Sequence, residues 1–373
     1  MPVTADQIVV DAGSTLTQTN NLTLANGAGD DLTVSGTWNW SGNYLYGPGF
    51  ARIAPGGLLN LTTSSYKYFT TDITNDGTID FQEGIFRFED FKTVINNGTF
   101  LLGANQSFQH GLVGAGIFTN NGSVTKATAG NADLDVTTIN NNGTFNCNAG
   151  TISNNNDVFN NAGTIAFNSG TFANGGVFNY NTGSVLSGTG TLTNNSVLNM
   201  NISAMLPSVL LLVNNSTVNL ALATTLTITG NGTWNSGTIS GPGSFAVGAT
   251  GTLALATGST KFFTADITNA GTIDWQDGIF RFEDFKTVTN NGSFLMAGNL
   301  SFQHGIVGAG TFTNNSIVTI TSPGNTDFDV TTFNNNGTLN CNGGITSNNN
   351  DVFNNAGAIV FFSGTFNNAG AFN

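Results

Sequence analysis

Four charged side chains crowd into one short segment of a chain in which only 8% of residues are charged. Residues 84–94 read GIFRFEDFKTV, and the same letters return at residues 278–288. A guanidinium beside carboxylates can bind polar ligands, and a carboxylate can also transfer protons. The candidate binding residues in the two segments are Arg87, Glu89, Asp90, Arg281, Glu283 and Asp284.

A histidine is predicted to join each charged segment from the next turn of the fold. Glycines recur in similar motifs along the chain, so residues at equal distances after them are expected to stack. Glu89 comes 12 residues after Gly77, and His110 comes 12 residues after Gly98. We therefore expect His110 to stack close to Glu89, and His304 to repeat this arrangement. In a glycosidase or lyase the two groups would act as an acid/base pair.

Carboxylate and amide oxygens alternate a little further along the chain. Residues at alternate positions of a strand lie on one face, and hard cations such as Ca²⁺ prefer oxygen ligands of this kind. The candidate calcium ligands are Asn131, Asp133, Asp135, Asp327 and Asp329. The sequence contains no EF-hand or GGxGxD pattern, so calcium competes with a simpler hypothesis.

The simpler hypothesis is a solvated charged face with no site. Exposed ion pairs contribute only 0 to about 1 kcal/mol each, so charges on one face do not by themselves indicate function. We predict no catalytic residue and no resident cofactor, with calcium as the one candidate ion.

The composition indicates an all-β protein with many tight turns. The chain has 373 residues, with 49 Gly and 30 Phe, and its abundant Asn, Thr and Ser leave few helix-forming residues. A net charge of −13 argues against nucleic acid as a partner, because a phosphate backbone requires clustered Lys and Arg. No apolar run is long enough to cross a bilayer, so we expect no membrane insertion.

The whole chain repeats at an offset of 194 residues. FQHG at 108–111 returns at 302–305, and NNNDVFNNAG at 154–163 returns at 348–357. We predict two tandem copies, residues 1–194 and residues 195–373, that form one continuous rod. Cys147 and Cys341 are also 194 residues apart, too far along such a rod for a disulfide, so each is predicted to be a buried free thiol.

A shorter motif recurs inside each copy and predicts the fold. Units such as VINNGTF and INNNGTF place glycines at 77, 98, 122, 143, 163 and 183, in steps of 21, 24, 21, 20 and 20 residues. Steps of this size indicate a right-handed parallel β-helix, or β-solenoid, with rungs of about 20–24 residues. We expect Gly and Asn to adopt left-handed conformations at the corners, and Asn side chains to form amide ladders between rungs.

Stacking the rungs on these glycines predicts the columns of the core. The residues two places after each glycine form one column, and those four places after it form another. The two predicted columns are Ile79, Phe100, Val124, Phe145 and Ile165, and Phe81, Leu102, Lys126, Cys147 and Phe167. Lys126 interrupts the second column and is expected to extend its ammonium to solvent. Trp38 and Trp40 are expected in the core. Tyr44 and Tyr46 belong to the core if they face inwards and could stack on sugars if they face outwards.

The motifs GTWNWSGNYLYGPG at 36–49 and GTWNSGTISGPG at 232–243, with the NNGTF units, resemble a known class of repeats. They are similar to the Asn- and Gly-rich β-helix repeats of large secreted bacterial adhesins, of the filamentous-haemagglutinin type or the Bacteroidetes cell-surface type. The resemblance implies a structural or adhesive segment of an extracellular or cell-surface protein. It also implies contacts with other copies, end to end or side by side, and with carbohydrate. We expect the chain to be part of a longer repetitive protein.

Overall fold

In the computed structural model, the described residues are 3–27, 29–111, 114–305, 310–321, 324–349 and 351–373. Every regular element among them is a β-strand, which confirms the predicted all-β class. Accordingly, this part of the chain contains no helix that is long and apolar enough to cross a membrane. The chain divides into two compact units, Met1–Thr191 and Leu192–Asn373, which are called unit 1 and unit 2 below.

The strands of unit 1 are short and closely spaced. They are β1 (Val3–Ala5), β2 (Ile8–Val10), β3 (Thr15–Gln18), β4 (Leu22–Leu24), β5 (Leu32–Val34), β6 (Thr37–Trp40), β7 (Asn43–Tyr46), β8 (Phe50–Ile53), β9 (Leu58–Leu61), β10 (Tyr66–Phe69), β11 (Asp72–Asn75), β12 (Thr78–Phe81), β13 (Gly84–Phe88), β14 (Thr93–Asn96), β15 (Thr99–Leu102), β16 (Gln106–His110), β17 (Ile117–Asn120), β18 (Ser123–Lys126), β19 (Asn131–Asp135), β20 (Thr138–Asn141), β21 (Thr144–Cys147), β22 (Thr151–Asn154), β23 (Val158–Asn161), β24 (Thr164–Phe167), β25 (Thr171–Asn174), β26 (Val177–Tyr180) and β27 (Val185–Gly188).

The strands that follow have the same lengths and spacing. They are β28 (Thr191–Asn194), β29 (Val197–Met200), β30 (Ala204–Leu206), β31 (Leu211–Asn214), β32 (Thr217–Leu220), β33 (Thr225–Ile228), β34 (Asn231–Trp234), β35 (Gly237–Ser240), β36 (Ser244–Val247), β37 (Thr252–Leu255), β38 (Lys261–Phe263), β39 (Asp266–Asn269), β40 (Thr272–Trp275), β41 (Gly278–Phe282), β42 (Thr287–Asn290), β43 (Ser293–Met296), β44 (Leu300–His304), β45 (Thr311–Asn314), β46 (Ile317–Ile320), β47 (Asn325–Asp329), β48 (Thr332–Asn335), β49 (Thr338–Cys341), β50 (Ile345–Asn348), β51 (Val352–Asn355), β52 (Ala358–Phe361), β53 (Thr365–Asn368) and β54 (Ala371–Phe372).

Within each unit, the strands pair in parallel with the third strand after them. In unit 1, β12 pairs with β15, β15 with β18, and β18 with β21, all parallel. In unit 2, β40, β43, β46 and β49 pair successively in the same way. Three strands therefore make one turn, and each unit has three sheets of stacked parallel strands. This confirms the predicted β-solenoid.

The predicted core columns are confirmed residue by residue. Ile79 pairs with Phe100, and the column continues through Val124 and Phe145 to Ile165. The second column runs from Phe81 to Phe167 in the predicted order, through Leu102, Lys126 and Cys147. Trp38 and Trp40 are fully buried, and Cys147 and Cys341 are buried free thiols, as predicted.

The prediction that Lys126 extends to solvent is wrong. Lys126 is fully buried, and its ammonium donates hydrogen bonds to the carbonyls of Gly103, Ala104 and Thr128. The corner of the turn supplies these acceptors inside the protein, so the ammonium is satisfied without water. Lys67 and Lys261 are buried in the same way, which the sequence analysis missed. Burial lowers the pKa of Lys67 and of Lys261 to about 8.

Five of the six stacked glycines are needed for space, not for left-handed conformations. Only Gly183 among them has a positive φ angle, and Gly77, Gly98, Gly122, Gly143 and Gly163 do not. A Cβ atom on Gly122 would lie 2.1 Å from the carbonyl oxygen of Gly98, and one on Gly143 would lie 2.1 Å from that of Gly122. The prediction that these glycines adopt left-handed conformations is therefore wrong. Glycine is needed because successive backbones approach so closely that no side chain fits between them.

A buried ladder of asparagine amides connects the turns of unit 1. Asn96 donates from Nδ2 to Oδ1 of Asn120 at 2.7 Å, and Asn120 donates to Asn141 at 2.8 Å. The ladder begins at Asn75 and ends at Asn161. In unit 2 the members of the matching ladder are Asn269, Asn290, Asn314, Asn335 and Asn355. This confirms the predicted amide ladders.

The buried ladders have a direction, because each interior amide donates to the asparagine of the following turn and accepts from that of the preceding one. The buried Oδ1 atoms of Asn75 and Asn269 accordingly have no hydrogen-bond partner among the described residues. A second, exposed ladder follows the first at the next residue of each turn, through Asp76, Asn97, Asn121 and Asn142.

We predict that Asn120→Asp destabilises the protein much more than Asn121→Asp. The first change places a buried carboxylate where an amide must donate to Asn141, at a cost of about 3 kcal/mol in the free energy of unfolding. The second change affects the exposed ladder and costs less than about 1 kcal/mol. Denaturant unfolding at neutral pH measures both, and equal destabilisation by the two variants would contradict a stabilising role of the buried ladder.

Candidate functional site

The charged segment of unit 1 forms the end of β13 and the turn after it. Phe86 and Phe88 face the core, and Arg87 points outwards between them. Nε of Arg87 lies 2.7 Å from Oε1 of Glu89, and the two side chains are only 19% and 15% exposed. The pair is therefore largely sheltered from water, and each charge neutralises the other.

A strained turn follows this ion pair. The N–H of Lys92 donates to the carbonyl of Glu89 at 3.2 Å. The two residues between them, Asp90 and Phe91, have φ angles of 52° and 60°, which non-glycine residues rarely adopt. Asp90 and Lys92 thus lie at the turn, and Phe91 is 68% exposed.

His110 does not stack on Glu89, so that prediction is wrong. His110 pairs with Phe88, and Gln109 pairs with Arg87. The link between β12 and β13 has two residues, 82 and 83, whereas the link between β15 and β16 has three, 103 to 105. Because the second link has one more residue, His110 lies opposite Phe88 and not opposite Glu89, although both His110 and Glu89 come 12 residues after their glycines.

Gly111 is the residue that lies against the Glu89 carboxylate. A Cβ atom at Gly111 would lie within 1.9 Å of Oε2 of Glu89. Only glycine leaves room for the carboxylate here. Nε2 of His110 instead lies 4.0 Å from Oδ1 of Asp135, and its Nδ1 lies 2.9 Å from the carbonyl oxygen of Gly111.

The predicted calcium ligands of unit 1 share one outward face of β19. Asn131 accepts a hydrogen bond from Ser153 at 2.8 Å, and Asp133 accepts one from Asn155 at 2.5 Å. Among the described residues, no three His, Cys, Asp or Glu side chains are arranged to hold a metal ion. Calcium binding by Asn131, Asp133 and Asp135 therefore stays a prediction from the sequence.

The structure places the predicted site residues of unit 1 in two separate groups. The first is the ion pair of Arg87 and Glu89, and the second is His110 with Asp135. In the outward column of their sheet, Gln109 lies between Arg87 and Asp135. Arg87 and Asp135 are therefore two turns apart, and the uncharged Gln109 lies on the turn between them.

A buried carboxyl group beside the second group was missed. Asp157 is 5% exposed, and its Oδ2 has no hydrogen-bond partner among the described residues. Burial, together with the negative charge of Asp135, raises the pKa of Asp157 to about 8, although the N–H of Val136 partly offsets this. The repeated motif NNNDVFNNAG contains this aspartate, and its single charge among apolar and amide residues was the available signal.

Unit 2 repeats these features in detail. Nε of Arg281 lies 2.6 Å from Oε1 of Glu283, and Nε2 of His304 lies 3.6 Å from Oδ1 of Asp329. Asp284 has a φ angle of 55°. Burial and the charge of Asp329 raise the pKa of Asp351, the counterpart of Asp157, to about 7. Asp327 accepts a hydrogen bond from Asn349 at 2.7 Å.

Tyrosine side chains lie beside the ion pair of unit 1 and stack on one another. The rings of Tyr44 and Tyr68 are 4.3 Å apart with an angle of 12° between their planes. Tyr46 stacks on Tyr44 at 4.5 Å, and Tyr66 stacks on Tyr68 at 5.2 Å. Tyr44, Tyr68, Thr70, Arg87, Glu89 and Asp90 line a shallow cleft of about 340 Å³.

Comparison with known proteins found no matching family model, and no curated protein or solved structure matches the chain either. The similarity to bacterial adhesin repeats therefore stays a prediction from the sequence motifs.

We predict that Asp157→Asn makes stability less dependent on pH. Because the pKa is raised in the folded protein, folding binds a proton between about pH 4, the ordinary range for Asp, and about pH 8. Stability due to protonated Asp157 is complete below this range and is lost as pH rises through it.

The variant should therefore be more stable than the wild type at pH 9, by about 2 kcal/mol or more, and the two should converge near pH 4. Denaturant unfolding as a function of pH measures this difference. Asp11→Asn, at an exposed position, is the control for the change in net charge. Parallel pH profiles for the wild type and Asp157→Asn would rule out a raised pKa.

Proposed function

We propose that the chain is a non-enzymatic structural and adhesive segment of an extracellular bacterial repeat protein. In this proposal the stacked turns of each unit form a stiff support that presents outward side chains to other molecules. The observation that carries the proposal is the regular parallel register from turn to turn within each unit, together with an amide ladder inside each unit.

The physical basis of stiffness is the way in which the turns contact one another. Within each unit, every interior turn is bonded by three parallel strands to the turn before it and to the turn after it. A bend or slip would break backbone hydrogen bonds and the Asn75–Asn161 ladder together. Such arrays have approximately additive interfaces between neighbouring repeats, so no single distant contact has to hold the fold together.

The adhesive part of the proposal is supported by the outward side chains and by the resemblance of the motifs to adhesin repeats. The surface carries few basic groups and many amides and hydroxyls, which suit polar neutral partners better than phosphate backbones. Other copies of the chain, side by side or end to end, are the second class of partner in this proposal. An extracellular or cell-surface location belongs to the same proposal.

Catalysis at the charged segment is less well supported. Glu89 is already paired with Arg87 at 2.7 Å, and His110 lies beside Asp135 instead of Glu89. The proposed acid/base pair is therefore not within hydrogen-bond reach across the ladder, as general acid/base catalysis requires. This geometry favours a binding or structural role for both groups.

Pulling the full chain by its two ends tests the structural proposal. Because each turn is bonded mainly to its neighbours, we expect release in steps of one or a few turns. One turn of about 21 residues adds roughly 7 nm of extended chain. Asn120→Asp should lower the force of early steps, whereas Asn121→Asp should not. Extension without resistance, with no step of this size, would contradict the proposed stiff support.

A further inference from the structure

The tyrosines of unit 1 are concentrated at one place. The chain has five tyrosines, and four of them, at positions 44, 46, 66 and 68, lie on the adjacent strands β7 and β10. The fifth, Tyr180, is buried. Tyrosines at alternate positions of both strands point outwards, so they do not contribute to the core that the phenylalanines fill. Their concentration on one outward face calls for an explanation other than packing.

Arg87 continues this row of tyrosines on the next turn. Tyr44 pairs with Tyr68, and Tyr68 pairs with Arg87. The Arg87 guanidinium carbon lies 5.5 Å from the centre of the Tyr68 ring, a cation–π distance. Nε of Arg87 lies 2.7 Å from Oε1 of Glu89, and both side chains line the cleft. The guanidinium can donate hydrogen bonds, and the carboxylate can accept them.

The stacking of the rings determines which atoms are offered to a ligand. Tyr44 has a neighbouring ring at 4.5 Å and another at 4.3 Å, so its two faces are covered. Ring edges and phenolic hydroxyls are left for contact, whereas Tyr46 and Tyr66 at the two ends each have a single ring neighbour. Burial raises the pKa of Tyr46 and of Tyr68, so both hydroxyls remain protonated donors at neutral pH.

These groups together match a ligand with many hydroxyl groups. Guanidinium and carboxylate groups bind vicinal hydroxyls as donor and acceptor, and phenolic hydroxyls do both. The positive charge of Arg87 is neutralised by Glu89, and Asp90 adds a further negative charge to the lining. An anionic ligand would therefore be repelled, which leaves neutral sugars as the matching class.

We propose that the cleft lined by Tyr44, Tyr68, Thr70, Arg87, Glu89 and Asp90 binds a neutral polysaccharide, with Tyr46 and Tyr66 extending the contact along the chain of sugars. This inference rests on the adhesive part of the proposed function and names its ligand class and its site.

Unit 2 provides a matched comparison within the same chain. Its Arg281–Glu283 pair repeats the charged part of the cleft, and Arg281 lies 5.5 Å from the Phe262 ring. The tyrosine positions are changed, however, and the residues that occupy them are Thr238, Ser240, Thr260 and Phe262. The row of phenolic hydroxyls is absent there, so the proposal assigns binding to unit 1 alone.

Affinity electrophoresis of the full chain in gels that contain β-glucan, xylan, mannan or polygalacturonate tests the proposal. We expect retardation by at least one of the neutral polymers and none by polygalacturonate. Tyr44→Thr with Tyr68→Phe, which installs the residues of unit 2, should weaken the interaction at least tenfold. Thr238→Ala with Phe262→Leu, at the matching positions of unit 2, should leave it unchanged.

Three results would overturn the proposal: no retardation by any neutral polymer, stronger retardation by polygalacturonate, or equal effects of the two double variants. Protection from nitration in the wild-type protein gives a test that does not depend on a variant. A retarding neutral polymer should shield Tyr44 and Tyr68 from tetranitromethane, as located by mass spectrometry, and unchanged nitration would also overturn the proposal.

The same samples distinguish failure of this inference from failure of the proposed function. Release of reducing ends from a bound polymer, abolished by Glu89→Gln, would contradict the non-enzymatic function. Absence of binding by a chain that still unfolds in turn-sized steps would contradict the glycan cleft and leave the structural role standing.

Discussion

The fold depends on the close approach of successive turns at the corners where the stacked glycines lie. The carbonyl of one glycine occupies the space that a Cβ atom on the next would need, for example 2.1 Å away at Gly122. This approach brings the buried asparagine of each turn within reach of the next, so its amide can donate to one turn and accept from the other. The corner thus serves two linked purposes, backbone clearance by Gly and internal hydrogen bonding by the buried Asn two residues before it.

Much of this architecture could be predicted from glycine spacing alone. The columns from Ile79 to Ile165 and from Phe81 to Phe167 are correct at every position, because residues just after a corner keep the register of that corner. The register further along the turn could not be predicted, because link length varies. One additional residue before β16 sets His110 beside Phe88 instead of Glu89. Errors of this kind grow with distance from the glycine that is used as the reference.

The buried lysines show a second limit of the sequence pattern. Lys126 stands in an apolar column, and hydropathy alone suggests that its ammonium must reach water. The corners of the turns, however, carry carbonyls that point towards the interior, and these accept the ammonium hydrogen bonds. Asp157 is a related case. Its burial, which raises its pKa, depends on the shape of a corner that cannot be predicted from composition. Both sites depend on backbone groups whose positions are set only by the complete fold.

Comparison of the two units shows which features recur with the scaffold and which features of the surface differ. The ion pair, the strained turn and the His–Asp contact occur in both, whereas the tyrosine row occurs in unit 1 only. Since the scaffold is the same without the tyrosines, they are free to serve recognition, and this makes unit 2 the natural control for unit 1.

Hydrogen exchange of the asparagine side-chain amides, followed by NMR in the full chain, tests the central claim most directly. The Nδ2 protons of Asn96, Asn120 and Asn141 should exchange about 100-fold or more slowly than those of the exposed Asn97, Asn121 and Asn142, because release of the buried amides requires opening of the turns. Equal exchange in the two sets would show that the buried ladder does not join the turns, and would contradict this account of the fold.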